Sequence, residues 1–192
     1  MTVLAWLRDL GARWSAPRVE PPELAAVERE IEATPDPLAA RVVARASSMV
    51  GRGVYGLGKG GRHPDAPTPF DASGRCDCSG FALAWCYGWD RYAPGLIDGD
   101  WHSTRSAYDD AKGKRRFWRE VPWSEARTGD AVTYPTRPGR IGHCGVLVEI
   151  GPTLAESLVT HCHGGRGPAV SVGTGALWTR KHGIVVRPVA WG

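Results

Sequence analysis

Apolar residues fall at helical spacing through the first part of the chain and cluster in short strand-like runs through the last third. Val3, Leu7, Leu10 and Trp14 share one helical face, and Leu24, Val27 and Ile31 share another after Pro21-Pro22. Residues 1–35 therefore read as two short helices. A third is better signposted. Asp36 suits an N-cap, Pro37 the first helical position, and Gly51 follows the last apolar residue, Val50. Its buried face should carry Ala39, Val42, Val43 and Ala46. Residues 51–74, rich in Gly and Pro, predict a long loop without regular structure, with Tyr55 set among the glycines. A helix from Ser79 to Tyr87 follows, with Gly88 as its stop. Residues 90–125 give only weak signals. Strand-like runs then occupy 130–135, 144–150, 158–162, 169–172 and 183–189, separated by Gly and Pro turns. Helices first and strands later predict an α+β domain over residues 36–192, preceded by a helical N-terminal extension over 1–35.

Composition narrows the class without deciding the function. The chain has 192 residues, 42% hydrophobic and 23% charged, as in a folded globular domain. Its net charge of +4 is mild and its cations are scattered, apart from the basic stretch at 112–119. An anionic polymer is tolerated as partner, but nothing implies nucleic acid. No run approaches the roughly 18 apolar residues of a membrane span. The start lacks a basic leader, and Arg8 and Asp9 interrupt its apolar stretch, so no signal peptide is expected. Synthesis in the cytoplasm would then keep the five cysteines reduced, and their odd number leaves at least one unpaired.

The stretch RCDCSGFALAWCYG (75–88) concentrates the candidate chemistry. A zinc site needs about four ligands in suitable spacing, whereas Cys76 and Cys78 stand one residue apart. Its second pair would have to come from Cys144 or from His161, Cys162 and His163. A nucleophile is the sharper reading. Asp77 can cap the following helix and leave Cys78 at its first position, where unpaired amides and the helix dipole favour a thiolate. Ser79 and Gly80 would leave the sulfur accessible, with nearby amides able to hold an oxyanion. The plain alternative is that Cys78 is a small buried apolar residue. Of six histidines, His143 opens an apolar strand between glycines and suits a general base. Alternation puts His143, Gly145 and Leu147 on one face and turns Cys144 away from the chemistry. His161, on a neighbouring run, can orient the base, and His163 in a glycine-rich loop is the weaker choice.

These residues together resemble a known family. DCSGF (77–81), preceded by YGLGKGG (55–61) and followed by ARTGDAVTYP (126–135) and GHCGVLV (142–148), is similar to the NlpC-type papain-like cysteine peptidases of bacteria and phages. The resemblance spans about residues 37–190. It implies a nucleophile helix packed on an antiparallel sheet, with Cys78 as nucleophile, His143 as base and His161 as third polar residue. Tyr55 falls where the family places a tyrosine near substrate or oxyanion. Asp77 matches the acidic residue before the nucleophile, Ser79 follows it, and Gly129-Asp130 matches the turn leading into the sheet. Cys144 stands where the family carries an aliphatic residue, and the family's tryptophan after the tyrosine is missing. On this basis Cys86 is assigned to the core and Cys76 to an incidental or tuning role.

The implied activity is hydrolysis of the peptide stems of bacterial peptidoglycan, often at the γ-D-glutamyl–diamino acid bond. No cofactor and no metal are expected. Lys59, Arg62, Arg75 and Arg105 are the candidate partners for substrate carboxylates, and Trp89, Trp101 and Trp123 for sugar stacking. Without a signal peptide, the protein would reach the wall after phage lysis or by specialised export. Two other classes use the same residues: a papain-like acyltransferase or deamidase, and a non-catalytic zinc-binding or wall-binding module. Composition does not choose an oligomeric state.

Overall fold

The structure, a computed structural model, describes residues 36–92, 101–165 and 167–191. The two helices expected within 1–35, and with them the N-terminal extension, lie outside the described residues. Helix α1 (Pro37–Ser48) starts where the sequence predicts. The Asp36 carboxylate accepts hydrogen bonds from the Leu38 and Ala39 amides, and Pro37 occupies the first turn, where a missing N–H costs nothing. Ala39, Val42, Val43 and Ala46 are fully buried. Each valine contributes on the order of 1.5–3 kcal/mol by leaving water.

Strands β3 (Trp118–Val121), β4 (Ala131–Tyr134), β5 (His143–Glu149), β6 (Leu158–Cys162), β7 (Val170–Thr174) and β8 (Ile184–Pro188) form one six-stranded sheet. Its order is β3-β8-β4-β5-β6-β7, and every neighbouring pair is antiparallel. Helix and sheet together make an α+β domain. Of these strands only β3 lacks a clear sequence signal.

Both faces of the sheet are covered. One carries Ala131, Cys144, Val146, Val148, Cys162 and Val186 against α1, residues 78–87 and helix α2 (Thr104–Lys112). The other carries Val132, Tyr134, Leu147, Val159 and Val185 against Trp178 of helix α3 (Ala176–Arg180). A buried ion pair locks the entry to β4: Arg187 of β8 donates to both Asp130 carboxylate oxygens, at 2.7 and 2.8 Å. The preceding Gly129 has φ +85°, and a Cβ there would stand 2.9 Å from the Ala39 Cα, so the turn and its contact with α1 both require glycine.

Three expectations change. The loop 51–74 is not wholly irregular: β1 (Val54–Tyr55) pairs in parallel with β2 (Arg75–Cys76), in register Tyr55 to Cys76. The helix expected from Ser79 begins at Cys78, but Gly80–Ala84 is π-helical and Trp85–Tyr87 is 3-10, ending at left-handed Gly88. Wide turns of this kind occur often at functional sites. The weak middle contains α2 and β3. Among the described residues, no helix is long and apolar enough to cross a membrane.

Candidate active site

The Cys78 helix begins against a glycine-rich loop. Asp77 Oδ1 accepts from the Gly80 amide at 2.8 Å, which is the N-cap bond expected from the sequence. Asp77 Oδ2 accepts from the Gly58 amide at 2.7 Å, and the Lys59 carbonyl accepts from the Asp77 amide. A charge balances it. Arg91 donates to both Asp77 oxygens at 2.7 and 2.6 Å, to the Lys59 carbonyl at 3.0 Å and to the Ser79 hydroxyl at 3.1 Å. All three side chains are buried. Asp77 and Ser79, expected beside substrate or oxyanion, are therefore committed to this network and do not line the cleft. Close approach of the loop depends on Gly61, where a Cβ would lie 2.6 Å from the Gly80 Cα.

Cys78 occupies the first helical position and is 4% exposed. Cys144 and His143, both from the start of β5, are its titratable neighbours from the sheet. The proximity of Cys144, then that of His143 with its charge, draws the thiol down to about 5 against an opposing effect of burial. Cys144 thus lies on the sheet face that packs against the Cys78 helix, a correction to the alternation argument. The division into faces holds, since Cys144, Val146 and Val148 lie together. The face assigned to the chemistry was the wrong one, because both faces of β5 are buried and the Cys78 helix packs on that of Cys144.

His143 is the first residue of β5, so its ring sits at the sheet's end, near enough for its charge to bear on the Cys78 thiol. It stacks on buried Trp178 with centroids 5.4 Å apart and interplanar angle 22°. Its Nε2 shares a 2.8 Å hydrogen bond with His161 Nδ1. Burial, followed by the proximity of His143 and His163, lowers the His161 imidazole to about 3 and keeps it neutral. A neutral His161 protonated on Nε2 can accept at Nδ1 from the His143 Nε2–H, and the bond engages that His143 nitrogen and leaves its Nδ1 free. Room for His161 comes from two glycines. A Cβ on Gly145 would stand 3.1 Å from the His161 Cβ, and one on Gly173 would stand 3.2 Å from its Nε2.

The cleft over this line has a volume of about 330 Å³ and is walled by Tyr55, Tyr134, Ile141, His143, His161 and His163, among others. Cys78 is not among its walls. Tyr55 is brought there by the β1–β2 pairing; burial, then the Cys78 charge, raises its hydroxyl above the ordinary range. His163 is more than a loop residue. It stacks on His161 at 4.7 Å, and its ring nitrogens bond to the Gly164 carbonyl at 3.0 Å and the Ser171 hydroxyl at 2.8 Å.

Several other candidates lie elsewhere. Arg62 stacks on Tyr92 and Arg105 pairs with Asp109; neither they nor Lys59 and Arg75 wall the cleft. Trp89, Trp101 and Trp123 are also absent from it, Trp101 stacking on Tyr92 and Trp89 on His102. All five cysteines are free and buried. In the core the Cys162 thiol donates to the Cys76 carbonyl at 3.3 Å and the Cys76 thiol to the Asp77 carbonyl at 3.4 Å, and Cys86 is fully buried. Among the described residues, no group of three or more His, Cys, Asp or Glu is arranged to hold a metal ion.

Arg91 and Trp178 escaped the sequence reading. Neither carries a local signal: one is a lone cation after Trp89-Asp90, the other a tryptophan in a five-residue helix. Comparison with protein-family models, curated proteins and solved structures finds no match for this chain.

Proposed function

We propose that the protein is a cysteine peptidase or amidase of the NlpC type, acting on the peptide stems of bacterial peptidoglycan. The observation that carries this reading is the 2.8 Å bond between His143 and His161, with Cys78 at a helix start near enough for His143 to favour its thiolate. A thiolate at a helix start, a histidine against it and a neutral acceptor behind that histidine are the parts an acyl transfer to sulfur needs.

In the proposed reaction the Cys78 thiolate attacks an amide carbonyl. The Cys78 backbone amide, unpaired in the first helical turn, receives the developing oxyanion, with Tyr55 at the cleft wall beside it. His143 delivers its proton to the departing amine, and a thioester remains on Cys78. Water that loses a proton to His143 then hydrolyses the thioester and restores the thiolate. His161 holds His143 by its second nitrogen throughout. The stem peptide as substrate, and its γ-D-glutamyl bond, rest on the resemblance of the four motifs.

The test is mass spectrometry of purified peptidoglycan fragments incubated with the protein, beside a Cys78→Ala control. Cleaved stem peptides that vanish in the control are the expected result and identify the bond. Fragments left intact by both proteins would overturn the wall substrate. Transfer of an acyl group, or release of ammonia from a side-chain amide, would reassign the same residues to an acyltransferase or a deamidase.

A further inference from the structure

His161 can orient His143 only if its own ring is held. The 2.8 Å bond at Nδ1 fixes one atom of that ring, and a ring tied at one atom still turns about the bond. Alternation puts His163, two residues further along the chain, on the same side of the sheet as His161. The two rings stack, with centroids 4.7 Å and planes 27° apart. Across the ladder, Ser171 of β7 stands directly opposite His161, and Gly173 follows on the same face. Gly173 brings no side chain against the Nε2 edge of His161, and Trp178 meets the ring edge to face at 89°. The face-to-face contact with His163 is thus the one that opposes rotation out of plane.

His163 is itself fixed, and its hydrogen bonds define its tautomer. The Gly164 carbonyl can only accept, so the His163 Nδ1, 3.0 Å away, carries the hydrogen. In the neutral ring Nε2 then accepts from the Ser171 hydroxyl at 2.8 Å. The backbone is anchored as well, since the His163 amide donates to the Ala169 carbonyl at 2.8 Å. Although His163 walls the cleft, both of its ring nitrogens are engaged by the protein and one of its faces by His161.

We propose that His163 is a positioning residue: held by Gly164 and Ser171, it clamps the His161 ring by stacking and keeps Nδ1 aimed at His143. The proposal rests on the reading of His143 as general base and His161 as its partner, and adds the group that holds the partner still.

The test has a spectroscopic arm and a kinetic arm, both on the full chain. Nitrogen-15 NMR of the imidazoles at about pH 8 reads which ring nitrogen carries the hydrogen. The parent should show His163 as the Nδ1–H form and His161 as a single Nε2–H form. His163→Ala should leave His161 averaging between tautomers, His163→Phe should restore the single form by keeping a ring face, and Ser171→Ala should fall between them. On stem peptides, His163→Ala should lower kcat by roughly tenfold with KM moved less than about twofold, Phe recovering most of the loss. In a His161→Ala background the same substitution should cost nothing further, because the group it acts through is gone. A His161 signal that His163→Ala leaves unchanged would overturn the clamp. So would a tenfold loss that persists without His161, which would set His163 against the substrate instead. A parent that leaves stem peptides intact, while its single His161 form is lost in His163→Ala, would overturn the wall substrate and leave the clamp standing.

Discussion

Arg91→Met isolates the ion pair on which the Cys78 helix is seated. In the parent protein Arg91 and Asp77 are 1% and 2% exposed, and two bonds of 2.7 and 2.6 Å join them. Removing one member of a buried pair leaves a charge without its counterion and costs about 3–5 kcal/mol. Asp77 would retain the Gly80 amide at 2.8 Å, the Gly58 amide at 2.7 Å and the Ser79 hydroxyl at 3.1 Å. These donors place the cost at the lower end, about 3 kcal/mol. Methionine replaces much of the arginine stem, so little of the loss is a cavity. For a chain of this size the melting temperature should fall by roughly 6–12 °C. Urea unfolding gives the free energy and calorimetry the temperature. The double variant Asp77→Asn with Arg91→Met separates charge from shape. It should lose less than the sum of the two single variants, by on the order of 1–3 kcal/mol. A single-variant loss below about 1 kcal/mol, or strict additivity in the double variant, would refute the argument that the pair matters through its charge.

Replacing His161 with Ala should lower kcat on the order of a hundredfold by freeing the His143 ring, and His161→Asn, which keeps an acceptor, should recover part of it. Steady-state kinetics on stem peptides decides this, and an Asn variant no better than Ala would argue against orientation through the 2.8 Å bond. His102→Phe should stabilise the fold by about 1–2 kcal/mol, since neither His102 ring nitrogen has a hydrogen-bond partner among the described residues and the ring stacks 5.0 Å from Trp89. Burial lowers this imidazole from 6.5 to about 4, so the unfolded chain takes up the proton first and parent stability should fall as pH drops through that interval. Urea unfolding at several pH values should show that slope reduced in the Phe variant; an unchanged slope would exclude His102 as its source.

The sequence was legible where local rules and burial agreed. Asp36, Pro37 and the spacing of Ala39, Val42, Val43 and Ala46 defined α1 because cap, first turn and buried face all pointed one way. The β-branched runs marked β4 to β8 for the same reason. Helix α2 was illegible because its buried face is Thr104, Ser106, Ala107, Asp110 and Ala111, a row with almost no apolar period. It is anchored by polarity: the Asp110 carboxylate accepts from the Arg116, Phe117 and Trp118 amides and ties the helix to β3. Strand β3, WREV, has only its first and last residues buried and offers too little alternation to stand out.

The site shows a different limit. Cys78, His143 and His161 were each recognisable from motif and setting, and the fold joins the two imidazoles by a 2.8 Å hydrogen bond with His143 beside Cys78. The orientation of Cys144 was not recoverable, because alternation sorts residues into two faces without saying what lies over each. That ambiguity vanishes in a sheet with one wet face, where polarity labels the outside. Here His143 to Val148 are all buried, so the strand carries no polar label. The departure from the family pattern at Cys144 then acquires physical content. A thiol on an apolar strand face is tolerated anywhere in such a core, but at this register it lies on the face that packs against the Cys78 helix.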